Sequence, residues 1–369
     1  MIKNELRPLV DLPSLDPHVL AREAATAARE LLAEAAAANT TRSYAAALRY
    51  WSGWGQGRYG RALPWPVPEP VVIQFLVDHL TRRTARGQVC DLPPALDAAL
   101  VAAGLKQRLG PLSRNTVVHR LAVLSKIHQL REQPNPCASP AVKALVTAAR
   151  RAAAKRGERP RQKTALPRPA LEAMLAICDD SLIGRRDRAL LSFGFASGGR
   201  RRSEIAAADL ADLHRLPEGG FVYRLLHSKT QQEGPAAGAT PEKPILGAAA
   251  LALEAWLQAA GHVTGPIFRR VWGASRLGEG LSPAAVAAIV QRRARAAGLE
   301  GDFGGHSLRS GFVTEGARQG IALPALMAMT DHRAAASVLG YFQAGSSAHN
   351  PAARLLDADG SAAANDSGM

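Results

Sequence analysis

From Pro17 to Ala38, alanine and leucine recur at helical intervals with Arg22, Glu23, Arg29 and Glu30 between them, which predicts a helix behind an irregular, proline-bearing lead-in. Asn39-Thr40-Thr41 breaks that run and caps a second helix. In it Tyr44, Leu48, Trp51 and Trp54 fall at three- and four-residue steps and share one core-facing stripe. The spacing accounts for these aromatics as packing rather than as a base-stacking surface. Pro64, Pro66, Pro68 and Pro70 mark a loop, and Val71 to Arg82 is then helical through Val72, Phe75, Leu76 and Leu80. A short helix or insertion is predicted from Asp91 to Leu105. Ser113 opens a clearer helix with Val117, Leu121, Leu124 and Ile127 as its buried stripe, leaving Arg114, Asn115, His119, Arg120 and Lys126 on the other faces. Ser139-Pro140, a capping serine with proline at the first helical position, starts a helix that runs to Ala154. This first region is predicted to be all-helical.

The pattern changes across Arg150 to Arg168. Arg150, Arg151, Lys155, Arg156, Arg159, Arg161, Lys163 and Arg168 stand there against Glu158 alone, and Gly157, Pro160 and Pro167 prevent the helix from continuing. The stretch reads as an interdomain linker. Beyond it, helices are predicted over Pro169–Ile177 and Arg186–Ala196, the second carrying Leu190, Leu191 and Phe193. Phe221 to Leu226 is the best strand, and Lys243 to Leu246 is its partner across a glycine- and proline-rich turn from Gly234 to Pro241. Ala248–Ala260, Ser282–Ala297 and Ser307–Gly320 are helical, and the tail from Asp357 is small, polar and predicted to be disordered. The fold class is mainly α with a small β-sheet, α+β.

With 369 residues the chain is long enough for two cores, and 47% hydrophobic with 21% charged residues is ordinary for a globular protein. Charge changes the picture more. An excess of 46 Lys and Arg over 31 Asp and Glu leaves +15, which points to a polyanion as partner. Cys90, Cys137 and Cys178 are widely spaced, so neither zinc nor a disulfide framework is expected. Reduced thiols fit a cytoplasmic protein, and no apolar run is long enough for a membrane span.

The remaining chemistry gathers in a few short stretches. His306-Ser307-Leu308-Arg309 sets a histidine and an arginine three residues apart, on one face of a helix start. Thr330-Asp331-His332-Arg333 brings a second histidine, and Tyr341 follows nine residues after it. Upstream lie Gly198-Gly199-Arg200-Arg201-Arg202-Ser203-Glu204-Ile205 and His227-Ser228-Lys229-Thr230. Taken singly, such a histidine is more often a packed or capping residue and such a tyrosine a hydrophobic anchor. Taken in order, the stretches resemble the tyrosine recombinase (phage integrase) family, over about Leu166 to Tyr341 and more weakly across the preceding region.

The resemblance implies a catalytic set of Arg201, Lys229, His306, Arg309, His332 and the nucleophile Tyr341. Arg201 and Arg309 would clamp the non-bridging phosphate oxygens, and Lys229 would protonate the departing 5′ oxygen. His306 would accept the tyrosine proton or orient the phosphate, and His332 would donate a further hydrogen bond. Glu204 either orients this cluster or is a plain surface carboxylate. One phosphoester is exchanged for another through a 3′-phosphotyrosyl intermediate, so no cofactor and no metal is expected. The sequence likewise lacks a phosphate-cradling Gly-rich loop and a carboxylate cluster for paired magnesium.

The implied organisation is a lead-in and helix (1–35), a helical core-binding (SAM-like) domain (36–152), a basic linker (153–166), the catalytic domain (167–350) and a tail (351–369). The partners are double-stranded DNA, other copies in a synaptic homotetramer built from a monomer in solution, with room for accessory DNA-bending proteins, and no membrane. The family's core-binding domains present a phosphate-contacting helix start where Thr41, Arg42 and Tyr44 stand. Arg114, Asn115 and Arg120 suit a DNA groove, though a solvated face explains them equally well. Arg159, Arg161 and Lys163 would lie on phosphates, the alternative being a solvated tether. About 344–356 would dock on a neighbouring protomer. The expected activity is site-specific DNA recombination of a mobile element. A topoisomerase IB-like nicking-closing enzyme, a non-catalytic architectural DNA binder and, last, an RNA-binding protein are the alternatives.

Two departures stand out. The run Arg200-Arg201-Arg202 is ambiguous by one residue, and the spacing to Ser203-Glu204 favours Arg201. Asp331 occupies a position where the family usually has glycine, which questions the turn there and would add a negative charge toward DNA.

Overall fold

The computed structural model describes residues 24, 26, 38–85, 87–158, 163–225, 241–273, 275–332, 335 and 338–341. Most of the expected first helix, the linker arginines Arg159 and Arg161, the turn carrying Lys229 and the segments after Tyr341 therefore lie outside the described residues. The chain divides into two compact units, Met1–Pro160 and Arg161–Met369.

In the first unit, α1 (Ala38–Tyr59) already includes Asn39-Thr40-Thr41, so the expected break there is absent and Thr40 and Thr41 sit in its first turn. Its buried stripe is Ala47, Tyr50, Trp51 and Trp54, with Tyr44 and Leu48 only half-buried. α2 (Glu69–His79) packs Phe75 flat on Trp51, ring centroids 3.8 Å apart, and edge-on to Trp54 at 5.1 Å. α2 ends three residues early because Leu80 is extended. The chain then enters an unforeseen hairpin, β1 (Arg82–Thr84) with β2 (Gly87–Val89). α3 (Pro94–Ala102), α4 (Arg114–Leu130) and α5 (Pro140–Lys155) complete the unit. Ser113 and Ser139 cap α4 and α5 as their sequence predicts, accepting from Thr116 and Val142.

Several polar groups inside this core are paired. The Trp54 indole donates to Asp78 at 2.9 Å, Arg58 meets the same carboxylate at 3.3 Å, and the Tyr50 hydroxyl lies 2.7 Å from His79 Nε2. Arg120, expected on the outer face of α4, instead lays its guanidinium over the Tyr50 ring at 3.2 Å. Helical periodicity cannot reveal that stack, because its other half is 70 residues away.

The second unit is built around α7 (Leu182–Ala196), whose apolar faces are buried all round, flanked by α6 (Arg168–Ala176) and α9 (Gly247–Ala260). An antiparallel sheet in the order β3 (Leu213–Arg215), β4 (Phe221–Arg224), β5 (Glu242–Ile245) covers one side, in the register Phe221↔Ile245 and Arg224↔Glu242. β3 and a second hairpin, β6 (Arg269–Trp272) with β7 (Arg276–Gly280), were not legible in the sequence. α8 (Arg202–Ala206), α10 (Pro283–Ala296), α11 (Ser307–Arg318) and α12 (Leu323–Thr330) are the unit's remaining α-helices among the described residues. Among the described residues no helix is long and apolar enough to cross a membrane.

The segment entering this unit is strapped to α11. Thr164 N–H donates to Asp302 and Leu166 N–H to Ser307, each at 3.0 Å. The strap passes so close that a Cβ on Gly311 would stand 1.9 Å from the Leu166 carbonyl oxygen. Gly311→Ala should therefore push α11 off the strap and lower stability by about 1–3 kcal/mol, read as a shifted midpoint in chemical denaturation. An unchanged midpoint would show the strap to be slack.

Candidate active site

Two boxes distant in sequence meet where α7 ends. Gly198 and Gly199, at φ +100° and +67°, turn the chain out of α7 toward α8. Gly199 rests directly on α11, where a Cβ would lie 2.5 Å from the Arg309 Cα. The turn thus brings Arg201 beside the start of α11.

Arg201 stands at the head of α8 with its side chain part-exposed. Glu204, one turn on, accepts from the Arg201 backbone N–H at 3.1 Å and from Nη1 at 2.6 Å. Glu204 is 5% exposed, so it is no surface carboxylate. The neighbouring Arg200 points the other way. It is buried, donates to Asp331 at 2.9 Å and to the Met329 carbonyl at 2.5 Å, and has Glu204 at 3.7 Å. Of the three consecutive arginines, Arg201 is the one held by a carboxylate while still reaching solvent.

His306 is exposed at the N-terminal end of α11, and its Nε2 lies 3.2 Å from the Tyr341 hydroxyl. Tyr341 ends the last described helical turn, where its carbonyl accepts from Thr314 at 3.4 Å. Arg309, one turn after His306, is buried. It donates to the carbonyl of Thr330 and, more loosely, to that of Gly199 at 3.4 Å, and its Nε lies 3.2 Å from His332 Nε2. His332 Nδ1 is in turn 2.7 Å from the Thr330 hydroxyl. Of the six expected catalytic residues, Arg201, His306, Arg309, His332 and Tyr341 share this neighbourhood, and Lys229 lies outside the described residues.

The local field is strongly positive. Burial first, then Arg201 and Arg200, push the Arg309 guanidinium down to about 9, leaving it charged at neutral pH. Partial burial of its ring, then Arg309 and Arg201, hold His306 below the usual histidine value, and the same influences push His332 down to about 4. Both rings are neutral at neutral pH, able to accept one proton and donate another. What these groups can do together is bind an anion between two guanidiniums and take a proton from the tyrosine.

Two features depart from expectation. Asp331 makes the turn that glycine would make, at φ 54° and ψ 41°, and its carboxylate points inward rather than toward a ligand. Lys243, unremarked in the sequence, is buried and reaches Asp331 and the Ala328 carbonyl, each at 2.8 Å. A signal existed, since Lys243 is in phase with buried Ile245 along β5. Among the described residues no group of His, Cys, Asp or Glu could hold a metal ion.

In the first unit, Ser43 Oγ and His119 Nε2, 2.8 Å apart, tie α1 to α4. Exposed Thr41, Arg42 and Asn115 and half-buried Arg114 lie within about a turn of that bond. Arg120 does not join them, being packed on Tyr50. Lys163, in the second unit, forms an exposed ion pair with Asp302.

The family model described as "Phage integrase family" matches residues 165–347. An integrase/recombinase XerD homolog of Selenomonas ruminantium is 34% identical over 239 residues, 63% of this chain and 69% of the relative. Among solved structures, a lambda integrase dimer bound to a COC′ core site matches with TM-score 0.51 and 16% identity over 87% of this chain and 94% of that one. The Tn1549 transposon integrase in complex with transposon right end DNA matches with TM-score 0.52 and 13% identity, over 86% and 95%.

The depressed histidine fixes a sign. Between pH 6.5 and about 4 the unfolded chain takes a proton that folded His332 refuses, so stability is full above pH 6.5 and falls as pH drops through that window. Ring-proton NMR of the free protein should show His332 titrating near 4, and His332→Asn should flatten part of the acid loss of stability. A midpoint near 6.5 would contradict the burial and charge described here.

Proposed function

The chain belongs to the phage integrase family of tyrosine recombinases, and on that premise we propose that it is a site-specific DNA recombinase acting through a covalent 3′-phosphotyrosyl intermediate, in the service of a mobile element. The observation that carries this reading is the 3.2 Å approach of His306 Nε2 to the Tyr341 hydroxyl beside Arg201 and Arg309. Tyr341 Oη attacks the phosphorus as its proton passes to His306, and the bond from phosphorus to the 5′ oxygen breaks. Arg201 and Arg309 balance the charge developing on the non-bridging oxygens, and His332 donates to one of them. Lys229 delivers a proton to the departing 5′ oxygen, leaving a free hydroxyl that attacks the phosphotyrosine in the reverse step. A neutral phenol is a poor nucleophile, so a base within hydrogen-bond reach is what makes the attack feasible.

Double-stranded DNA is the substrate, with Thr41, Arg42, Arg114 and Asn115 as phosphate or groove contacts of the first unit. The basic stretch with Arg159, Arg161 and Lys163 follows the backbone, and four protomers hold two duplexes in synapsis. The +15 net charge and the descriptions of the lambda and Tn1549 relatives as DNA complexes support this assignment.

Two measurements test the reading. Wild type and Tyr341→Phe are expressed beside DNA of the native replicon and denatured in detergent, and DNA still attached to protein is sequenced. Fragments retained by wild type and lost in Tyr341→Phe establish the nucleophile and reveal the target sites. DNA binding by both proteins with nothing retained would instead favour the architectural alternative. Covalent capture should also have an acid limb below pH 6.5, because His306 must be neutral to accept the proton and its pKa lies below the ordinary value. A limb above pH 6.5 would remove His306 from that role.

A further inference from the structure

We propose that Asp331 is a positioning residue for strand transfer, a single buried carboxylate that indexes three chain segments of the site onto one another; this rests on the recombinase reading above. Its two oxygens divide the work. Oδ2 takes Arg200 Nη1 at 2.9 Å, and Oδ1 takes Lys243 Nζ at 2.8 Å. Arg200 precedes Arg201, Asp331 precedes His332 and Lys243 belongs to β5, so the network ties two neighbours of site residues to the sheet. Both cations also close the C-terminal end of α12, Arg200 on the Met329 carbonyl and Lys243 on that of Ala328, where the helix dipole favours positive charge. Side-chain exposure of 1% for each cation and 6% for Asp331 leaves water no share in this balance.

Glycine would make the turn more easily, since a left-handed residue with a side chain is strained. Aspartate tolerates that conformation, and here it brings a carboxylate 2.8 Å from the buried Lys243 ammonium. The turn has thus become a three-way joint.

The test uses the full-length protein and the variants Asp331→Asn, Asp331→Gly and Asp331→Gly/Lys243→Met. In the DNA-free protein, Asp331→Asn should speed amide exchange about tenfold at the bonds of the 198–205 turn and at β5, with α10 unchanged. Faster exchange confined to 326–332 would overturn the joint, whatever the protein does to DNA. On duplexes recovered by wild-type capture, Asp331→Asn and Asp331→Gly should bind within about threefold of wild type and form covalent complex about a hundredfold more slowly. The double variant, which removes the buried ammonium together with its carboxylate, should regain melting temperature but not the covalent step. Recovery of both together would reduce Asp331 to a stabilising residue and overturn the proposal. Failure of wild type itself to capture DNA would strike the recombinase reading, leaving amide exchange to decide the joint.

Discussion

Crowding like charges where water is scarce is the constraint under which the second unit is built. Arg200, Arg201, Arg309 and Lys243 converge around the turn after α7 and the end of α12, and three of them are almost wholly buried. Such a group is tolerable only if every cation finds an anion or a carbonyl within hydrogen-bond reach. Two carboxylates, Glu204 and Asp331, and the carbonyls of Gly199, Ala328, Met329 and Thr330 provide those partners. The backbone terminus of α12 is therefore part of the electrostatics as much as of the packing.

Burial first, and then that field, explain the histidines. His306 and His332 sit where a further positive charge is disfavoured, so both rings are neutral and available for proton transfer or hydrogen bonding. It also separates adjacent arginines by role. Arg200 is spent internally on Asp331, whereas Arg201 is held by Glu204 and remains part-exposed.

Much of the helical framework was legible because periodicity is a local property. The stripe from Val117 to Ile127, the serine caps at Ser113, Ser139 and Ser282, and the pairing of β4 with β5 all follow from neighbours in sequence. What escaped depends on distant partners. Arg120 reads as an outward basic residue until Tyr50 is placed beneath it, and Lys243 as a solvated strand residue until Asp331 arrives from 88 positions away. Short strands such as β3 and the hairpin β6–β7 carry too few residues for alternation to register. At the site, residue types and their order were readable from motif resemblance, but whether Asp331 pointed outward or inward was a matter of backbone conformation that no motif encodes.

The strap along α11 can also be viewed as mechanics. The chain enters the second unit through residues 163–166, hydrogen-bonded at Asp302 and Ser307 and pressed against Gly311. Tension arriving along the backbone from the N-terminal side is thus borne first by the loop and helix that carry His306 and Arg309. Tyr341, reached by a separate stretch of chain, meets that path through the Thr314 hydroxyl and the His306 ring. A pull from upstream would reach the arginine-histidine cradle before the tyrosine, so force and nucleophile enter the site by different routes.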